Sequence, residues 1–169
     1  VAASLAELVG GEGRHLRSFL YIFVDTFSGG GLVLDSRLHP GAHGNAGAIG
    51  SMPLAVPGAG TASTQLLGAA SLLTLQRLYE TARIDPSAAL DKRALEPPWH
   101  PHTQAWLGNA SRALAMAIVG ASCVLDIDDV VIDGVIDRRL LARLIAQSGD
   151  ALEARCWEGE RRPRLDAGS

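Results

Sequence analysis

Two pairs of histidines are the side chains in this sequence most suited to metal chemistry. His39 and His43 lie four residues apart in HPGAH, and His100 and His102 lie two apart in WHPH. Imidazole nitrogens bind zinc when cysteines or carboxylates complete a set of four ligands. Neither pair has such partners at the spacing of a zinc motif, so we expect solvated loop histidines and no metal site.

A group of aspartates is the next candidate for chemistry. Asp126, Asp128 and Asp129 lie between a predicted helix and a predicted strand, and this placement is typical of a turn. Asp133 follows the apolar run VVI at the carboxyl end of that strand, where open α/β sheets bind their ligands. Asp133 is therefore a candidate site residue, and we interpret the other three as turn residues.

The segment DTFSGGG, residues 25–31, offers backbone amides in place of reactive side chains. Successive amides in a glycine-rich turn can form a nest that binds phosphate. Glycines also occur in hairpin turns because the backbone needs a positive φ there. Both interpretations stay open, and each predicts a tight turn over residues 28–31. No GxxxxGK[ST] motif and no GxGxxG motif that opens a helix is present.

The composition favours one globular domain. The chain has 169 residues, of which 47% are hydrophobic and 20% charged, enough for a real core. A net charge of −3 excludes a strongly basic nucleic-acid surface in these residues. No apolar run approaches the length of a membrane span and no signal peptide is recognisable, so we expect a cytoplasmic protein. Cys123 and Cys156 are expected to be buried, reduced thiols in helices.

These residues must be positioned by an α/β domain with a mixed β-sheet and helices on its faces. Apolar residues at a helical period predict helices, and short runs rich in β-branched and aromatic residues predict strands. The predicted helices cover residues 2–9, 64–82, 103–125 and 137–155. The predicted strands cover residues 18–27, 31–38, 48–56, 128–136 and the final segment 162–169.

Three segments resemble motifs of the ROK family of bacterial sugar-responsive repressors and sugar kinases. FVDTFSGGGLVLDSRLHPGAHGNAGAIGSMPL is similar to the family's glycine-rich signature, which ends in A-G-E-(I/L)-G-H. VAASLAEL is similar to the helix after its N-D-A-N motif, and ALAMAIVGASCVLDIDDVVIDGVI to a long helix followed by a strand and two glycines. The resemblance implies an actin-like, ribonuclease H-like fold of two α/β lobes. Residues 1–169 would form a single lobe, the second, truncated at both ends.

Some positions depart from the motifs of that family. Ala48 replaces the glutamate that contacts sugar hydroxyls, and Ser51 replaces the histidine of the zinc and sugar region. The family's zinc cysteines align with Gly58, Gly60 and Gln65. The resemblance therefore implies that this chain has neither the zinc site nor the sugar carboxylate, and we expect no cofactor.

The nucleotide side of the family's motifs is altered as well. Its G-T-G becomes Asp25-Thr26-Phe27, which places an acid and a bulky ring where phosphates would lie. An anion repels phosphate, so nucleotide binding is disfavoured. We interpret five residues as the remnant of this side of the motifs: Thr26, Gly29, Gly30, Asp133 and Gly134.

The resemblance thus implies an effector-sensing and oligomerisation lobe of a transcriptional regulator, without catalytic residues. A sugar or sugar phosphate would contact Asn45, Ala48 and Ser51, with His43 nearby. The lobe would form a homo-oligomer, and DNA would be bound only by a domain outside this chain. The alternative is a divergent sugar kinase that uses ATP and magnesium. A scaffold without any ligand is the third hypothesis.

Overall fold

The computed structural model describes residues 15–54, 64–155 and 157–168, so the predicted helix over residues 2–9 and Cys156 lie outside the described residues. The strands are β1 (Phe19–Val24), β2 (Gly29–Leu34), β3 (Arg37–His39), β4 (Pro53–Leu54), β5 (Thr64–Gln65), β6 (Asp129–Gly134) and β7 (Arg164–Ala167). The α-helices are α1 (Leu66–Ala70), α2 (Leu72–Thr81), α3 (His100–Leu125) and α4 (Arg138–Glu153). Short 3-10 helices cover Ile49–Ser51, Pro86–Leu90 and Lys92–Leu95.

The main sheet has five strands in the order β3-β2-β1-β6-β7. The first three form an antiparallel meander, while β6 lies parallel to both β1 and β7. In the parallel register Phe19 lies opposite Asp129, and Phe23 lies opposite Asp133. The predicted mixed sheet is confirmed, and a small second sheet joins β4 to β5.

Both faces of the central strands are buried, which explains why β1 and β6 are apolar without alternation. Five side chains face the helices of the domain: Leu20, Ile22, Val24, Val130 and Ile132. Four others form a smaller cluster on the opposite face: Phe19, Tyr21, Val33 and Val131. The parallel strand that we predicted as covered on both faces is therefore confirmed.

Helix α3 is the centre of the core. Its predicted apolar stripe is confirmed, because all seven residues are buried: Trp106, Ala110, Ala113, Leu114, Ala117, Ile118 and Ala121. The helix begins at His100, three residues earlier than predicted, and Pro101 fits its first turn, where a missing N–H is tolerated. By length and composition α3 could also span a membrane, but 56% of its most apolar stretch is buried inside the protein, as in a core helix.

The predicted glycine turn is wrong, because residues 29–31 belong to β2 and pair with β1. The chain turns earlier, over residues 25–28. The predicted strand over residues 31–38 is also divided by a second, unpredicted turn between Leu34 and Arg37. Asp35 and Ser36 have φ angles of 49° and 63°, as in the two-residue turns that suit β-hairpins.

The predictions for residues 48–82 were correct only in part. The expected third strand is mostly a 3-10 helix, Ile49–Ser51, followed by the two residues of β4. The expected long helix is divided at Ser71, whose backbone is extended. The Ser71 side chain accepts a hydrogen bond from the Thr74 N–H at 3.4 Å, so it caps a new helix, α2.

Two predictions near the end of α3 were wrong. Cys123 is exposed, and its hydrogen bond with Glu160 raises the pKa of the thiol. Asp129 is not a turn residue but the buried first residue of β6. Its carboxylate accepts two hydrogen bonds from Arg164, at 2.7 and 3.1 Å, which raise the pKa of that guanidinium. This ion pair connects the neighbouring strands β6 and β7.

Candidate functional site

A pocket of about 370 Å³ lies between the glycine-rich strand β2 and the loop that follows β3. Its walls come from Ser28, Gly29, Gly30, Gly31, Leu38, His39, Pro40, Gly44, Asn45, Ala46, Ala48, Gly50 and Ser51. Among these residues there is no aspartate, glutamate, lysine or arginine. A ligand here would therefore meet backbone groups, small side chains and neutral hydrogen-bonding groups.

The glycines of β2 are needed because the loop lies directly on the strand backbone. A Cβ atom on Gly30 would lie 2.6 Å from the Tyr21 carbonyl oxygen and 2.7 Å from that of Gly47. A Cβ on Gly47 would lie 2.5 Å from the Gly31 carbonyl carbon. Such close approach of two backbones explains glycine in a strand interior. The hairpin-turn interpretation of these β2 glycines is therefore wrong, since none has a positive φ.

The loop from residue 40 to residue 51 is shaped by its own backbone. Gly41, Gly44 and Gly47 have φ angles of 75°, 74° and 76°, a region that favours glycine. The N–H of Ala48 donates to the Asn45 carbonyl at 3.1 Å, and other short-range bonds continue on either side. Two turns in succession therefore form the wall of the pocket.

The structure brings together five of the predicted site residues. Asn45, Ala48 and Ser51 from the effector group line the same pocket as Gly29 and Gly30, which belong to the predicted nucleotide remnant. Two residues of the predicted nucleotide remnant therefore share one pocket with three residues of the effector group.

The remaining predicted residues lie outside the pocket lining. His43 is exposed in the same loop, and Thr26 is exposed in the turn before β2. Asp133 and Gly134 lie at the carboxyl end of β6, opposite Phe23 and Val24 of β1.

His39 is a pocket residue that sequence reasoning considered only as a metal ligand. It ends β3, is exposed, and lines the pocket together with Asn45 and Ser51. The Ser28 hydroxyl is buried and already donates to the Ala70 carbonyl at 2.6 Å. The side chains that can offer hydrogen bonds to a ligand in this pocket are therefore His39, Asn45 and Ser51. The missed signal was the turn at residues 35–36, which folds His39 back beside Leu32.

The turn before β2 is fastened to the start of α2. The Leu72 N–H donates to the Asp25 carbonyl at 2.9 Å, and the Leu73 N–H donates to the Thr26 carbonyl at 3.4 Å. The first N–H groups of a helix are the donors that most often bind phosphate. At α2 these donors are engaged within the protein, while Phe27, the next residue of the turn, is 63% exposed.

Asp133 is held by its own neighbours. Its Oδ1 accepts hydrogen bonds from the Gly134 N–H at 2.8 Å and from Arg138 Nη1 at 2.7 Å. Arg138 also donates through Nη2 to the Gly168 carbonyl. The Asp133 carboxylate, only 14% exposed, therefore has a structural partner that compensates its charge.

In the part of the chain that the structure describes, no three His, Cys, Asp or Glu side chains come close enough to hold a metal ion. The absence of a metal stays a prediction for the chain as a whole.

A model of the ROK family matches residues 1–147 of this chain. No curated protein matches it significantly. Among solved structures, a ROK family protein from Streptococcus pneumoniae in complex with sucrose has a TM-score of 0.73 and 19% identity. The match covers 98% of this chain and 56% of the chain of that protein.

Two further solved structures are similar to the same degree. A ROK hexokinase from Thermus thermophilus has a TM-score of 0.72 and 23% identity, with 98% of this chain and 56% of that chain covered. A ROK family transcriptional regulator, a homologue of the E. coli Mlc protein, has a TM-score of 0.73 and 21% identity, with 98% and 45% covered. This chain therefore spans about half the length of these relatives, and the likeness establishes the fold.

Proposed function

Because this chain belongs to the ROK family and has its actin-like ATPase fold, we propose that it is the effector-sensing lobe of a transcriptional regulator. The proposed effector is a sugar or sugar phosphate bound in the pocket beside β2. The solved family protein with bound sucrose supports a sugar as the ligand class. The proposed role is sensing and self-association, without catalysis.

The observation that carries this proposal is the neutral lining of the pocket. A buried sugar hydroxyl left without a partner costs about 1–3 kcal/mol, so a sugar site must supply hydrogen-bonding groups. His39, Asn45 and Ser51 supply donors and acceptors, yet the described residues that line the pocket include no carboxylate that could act as a base. Such a set of groups suits reversible binding better than activation of a hydroxyl for attack.

The surroundings of the turn over residues 25–28 support a role without nucleotide. Kinases stabilise transferred phosphate with backbone donors, cations and metal ions. Here the first donors of α2 already bond to the Asp25 and Thr26 carbonyls, and the next residue of the turn is the exposed Phe27. At the end of the neighbouring parallel strand, the Asp133 carboxylate is already paired with Arg138. An ATP phosphate would have to displace these contacts.

The proposed mechanism is a shift of population between lobe arrangements. An effector changes such an equilibrium only by binding one arrangement more tightly than the other. One wall of the pocket is strand β2 and the other is a loop, so a ligand that bonds to Asn45 and Ser51 can favour one loop position. We further propose a cytoplasmic homo-oligomer that needs no zinc and contacts DNA only through a domain outside this chain.

Isothermal titration calorimetry against glucose, N-acetylglucosamine and their 6-phosphates tests this proposal. We expect one of these compounds to bind, and Asn45→Ala to weaken that binding about tenfold, as for loss of one hydrogen bond. Asn109→Ala removes the same side chain from α3, outside the pocket, and is the matched control. The proposal is wrong if none of the four compounds binds, or if both variants weaken binding equally.

A divergent sugar kinase remains the alternative, because the hexokinase and the regulator resemble this chain with TM-scores of 0.72 and 0.73. ATP and magnesium would then be required. A coupled assay that follows ADP release with each sugar distinguishes the two functions. Sugar-dependent ADP release above the no-sugar background would favour the kinase and contradict the regulator.

A further inference from the structure

A second cavity, of about 660 Å³, lies in the groove between the middle of α3 and the carboxyl end of α4. Asn109, Arg112 and Met116 line it from α3, and Ala151 and Arg155 line it from the end of α4. None of these residues belongs to the pocket beside β2. The groove is thus a site separate from that pocket, and a proposal about its ligand does not rest on the proposed function.

The floor of the groove is apolar and is formed mainly by small side chains. Alanines from both helices and the flexible thioether of Met116 leave space that larger residues would have filled. The volume falls within the range of about 300–1,000 Å³ that is typical of small-molecule sites. Such sites combine a mainly apolar lining with a few polar groups that orient the ligand. The groove has both features.

The polar groups of this groove are cationic. Arg112 is exposed and donates through Nη2 to the Asn109 side-chain oxygen at 2.7 Å, which leaves its charge without a counter-ion. Within the described residues, neither Arg112 nor Arg155 forms an ion pair, and the groove has no acidic residue in its lining. Two uncompensated guanidinium groups therefore stand beside an apolar floor, in a chain whose net charge is −3.

We propose that this groove binds an amphipathic organic anion. The apolar body of the ligand rests on the alanine floor and against Met116, and its carboxylate meets the guanidinium groups of Arg112 and Arg155. Guanidinium groups bind planar carboxylates with two parallel hydrogen bonds and also stack on aromatic rings. An aromatic carboxylate therefore satisfies both parts of the groove, whereas a neutral apolar molecule satisfies only the floor.

The two methionines of the chain make this proposal directly testable, since only Met116 lines the groove. Met52 packs beside Gly120, one turn further along α3, and is an internal reference. The protein is labelled with methyl-¹³C-methionine and titrated with 2-naphthoate, and Met116→Leu assigns the two signals. We expect a saturable shift of the Met116 methyl signal and a smaller shift at Met52.

The charge interaction with the ligand and the free volume of the groove are then tested separately. The uncharged analogue 2-naphthamide and the variant Arg155→Gln are each expected to weaken binding about fivefold, the scale of an exposed ion pair. Arg143→Gln removes an exposed arginine elsewhere on α4 and should leave binding unchanged. Ala151→Leu fills the groove and should abolish the shift, with the circular dichroism spectrum confirming that it folds.

Three results would overturn the proposal. The first is an unmoved Met116 signal at millimolar 2-naphthoate. The second is equal affinity for the acid and the amide, or equal weakening by Arg143→Gln and Arg155→Gln. The third is a Met116 shift that follows protein concentration without the probe, which would assign the groove to a second copy of this chain.

Discussion

The contact between β2 and the loop over residues 44–51 can be tested with a single methyl group. Gly30→Ala places that methyl where three atoms already lie within 3.0 Å. They are the Tyr21 and Gly47 carbonyl oxygens, at 2.6 and 2.7 Å, and the Ile49 Cγ2 atom, at 2.8 Å. Two of these atoms are backbone, so they cannot move aside without moving the strand or the loop. We expect the loop to lift from the sheet.

The size of the effect follows from these distances. Extra atoms in a well-packed site cost about 1–3 kcal/mol. Three simultaneous overlaps, two of them with backbone, place Gly30→Ala at the upper end, a loss of about 3 kcal/mol in the free energy of unfolding. Because the same loop carries Asn45 and Ser51, ligand binding in the pocket should be lost as well.

Gly44→Ala is the matched control. A Cβ atom on Gly44 would have no described atom within 4 Å, so within the described structure only its φ of 74° opposes the substitution. A left-handed backbone costs a residue with a Cβ about 1–2 kcal/mol. Urea unfolding followed by circular dichroism gives both free energies. If Gly30→Ala costs no more than Gly44→Ala, or leaves ligand binding unchanged, the close contact between strand and loop is not present in solution.

Three further predictions concern stability, each measured by urea unfolding. The Ser148 hydroxyl is buried without a hydrogen-bond partner in the described structure, so Ser148→Ala should stabilise the protein by about 1 kcal/mol, and a loss of stability would reveal a hidden partner. In α3, Gly108→Ala meets only the end of a flexible arginine side chain at 3.6 Å, so it should stabilise by about 0.5–1 kcal/mol, whereas destabilisation would indicate a closer neighbour. Hydrogen bonds from Ser87 to Asp85, and from Arg93 to Asp91, lower the pKa of both carboxyl groups. The two carboxylates therefore stabilise the folded protein above about pH 4, the pKa of the unfolded chain, and this stabilisation is lost as the pH falls below that value. Arg93→Gln should therefore reduce the loss of stability between pH 7 and pH 3, and an unchanged loss would show that these carboxylates do not contribute.

The elements that sequence reasoning predicted best are those in which many buried residues follow a regular pattern along the element. The apolar stripe of α3 and the buried run of β6 carry their own signal, because each repeats the same contact many times along one face. The mixed sheet followed from the order of such elements, and the strand order β3-β2-β1-β6-β7 agrees with it.

The local turns were predicted least well, for an identifiable reason. Asp35 and Ser36 adopt positive φ angles although neither is glycine, so the hairpin between β2 and β3 lacked the usual signal. The glycines of β2 gave the opposite error: they indicated a turn, yet they allow close packing against a loop that comes later in the chain. A sequence records that glycine is needed, but not which of these two reasons applies.

Some features of the candidate site were likewise predictable from the sequence, and others were not. From the sequence, through its family resemblance, came the prediction that Asn45, Ala48 and Ser51 contact a ligand, together with the lack of an acid in that loop. Only the three-dimensional arrangement placed His39 beside them and occupied the first donors of α2 with the carbonyls of Asp25 and Thr26.

The amino-acid order by itself determined which segments are buried, and it determined the chemical groups that the glycine-rich region can offer. The tertiary structure alone decided which of those groups meet in one pocket, which are already satisfied by neighbours, and that Arg112 and Arg155 line one groove without an ion pair to any described residue. The physical reason is that burial patterns are local and repeated along an element, whereas a site depends on a few contacts between segments that the chain brings together only when it folds.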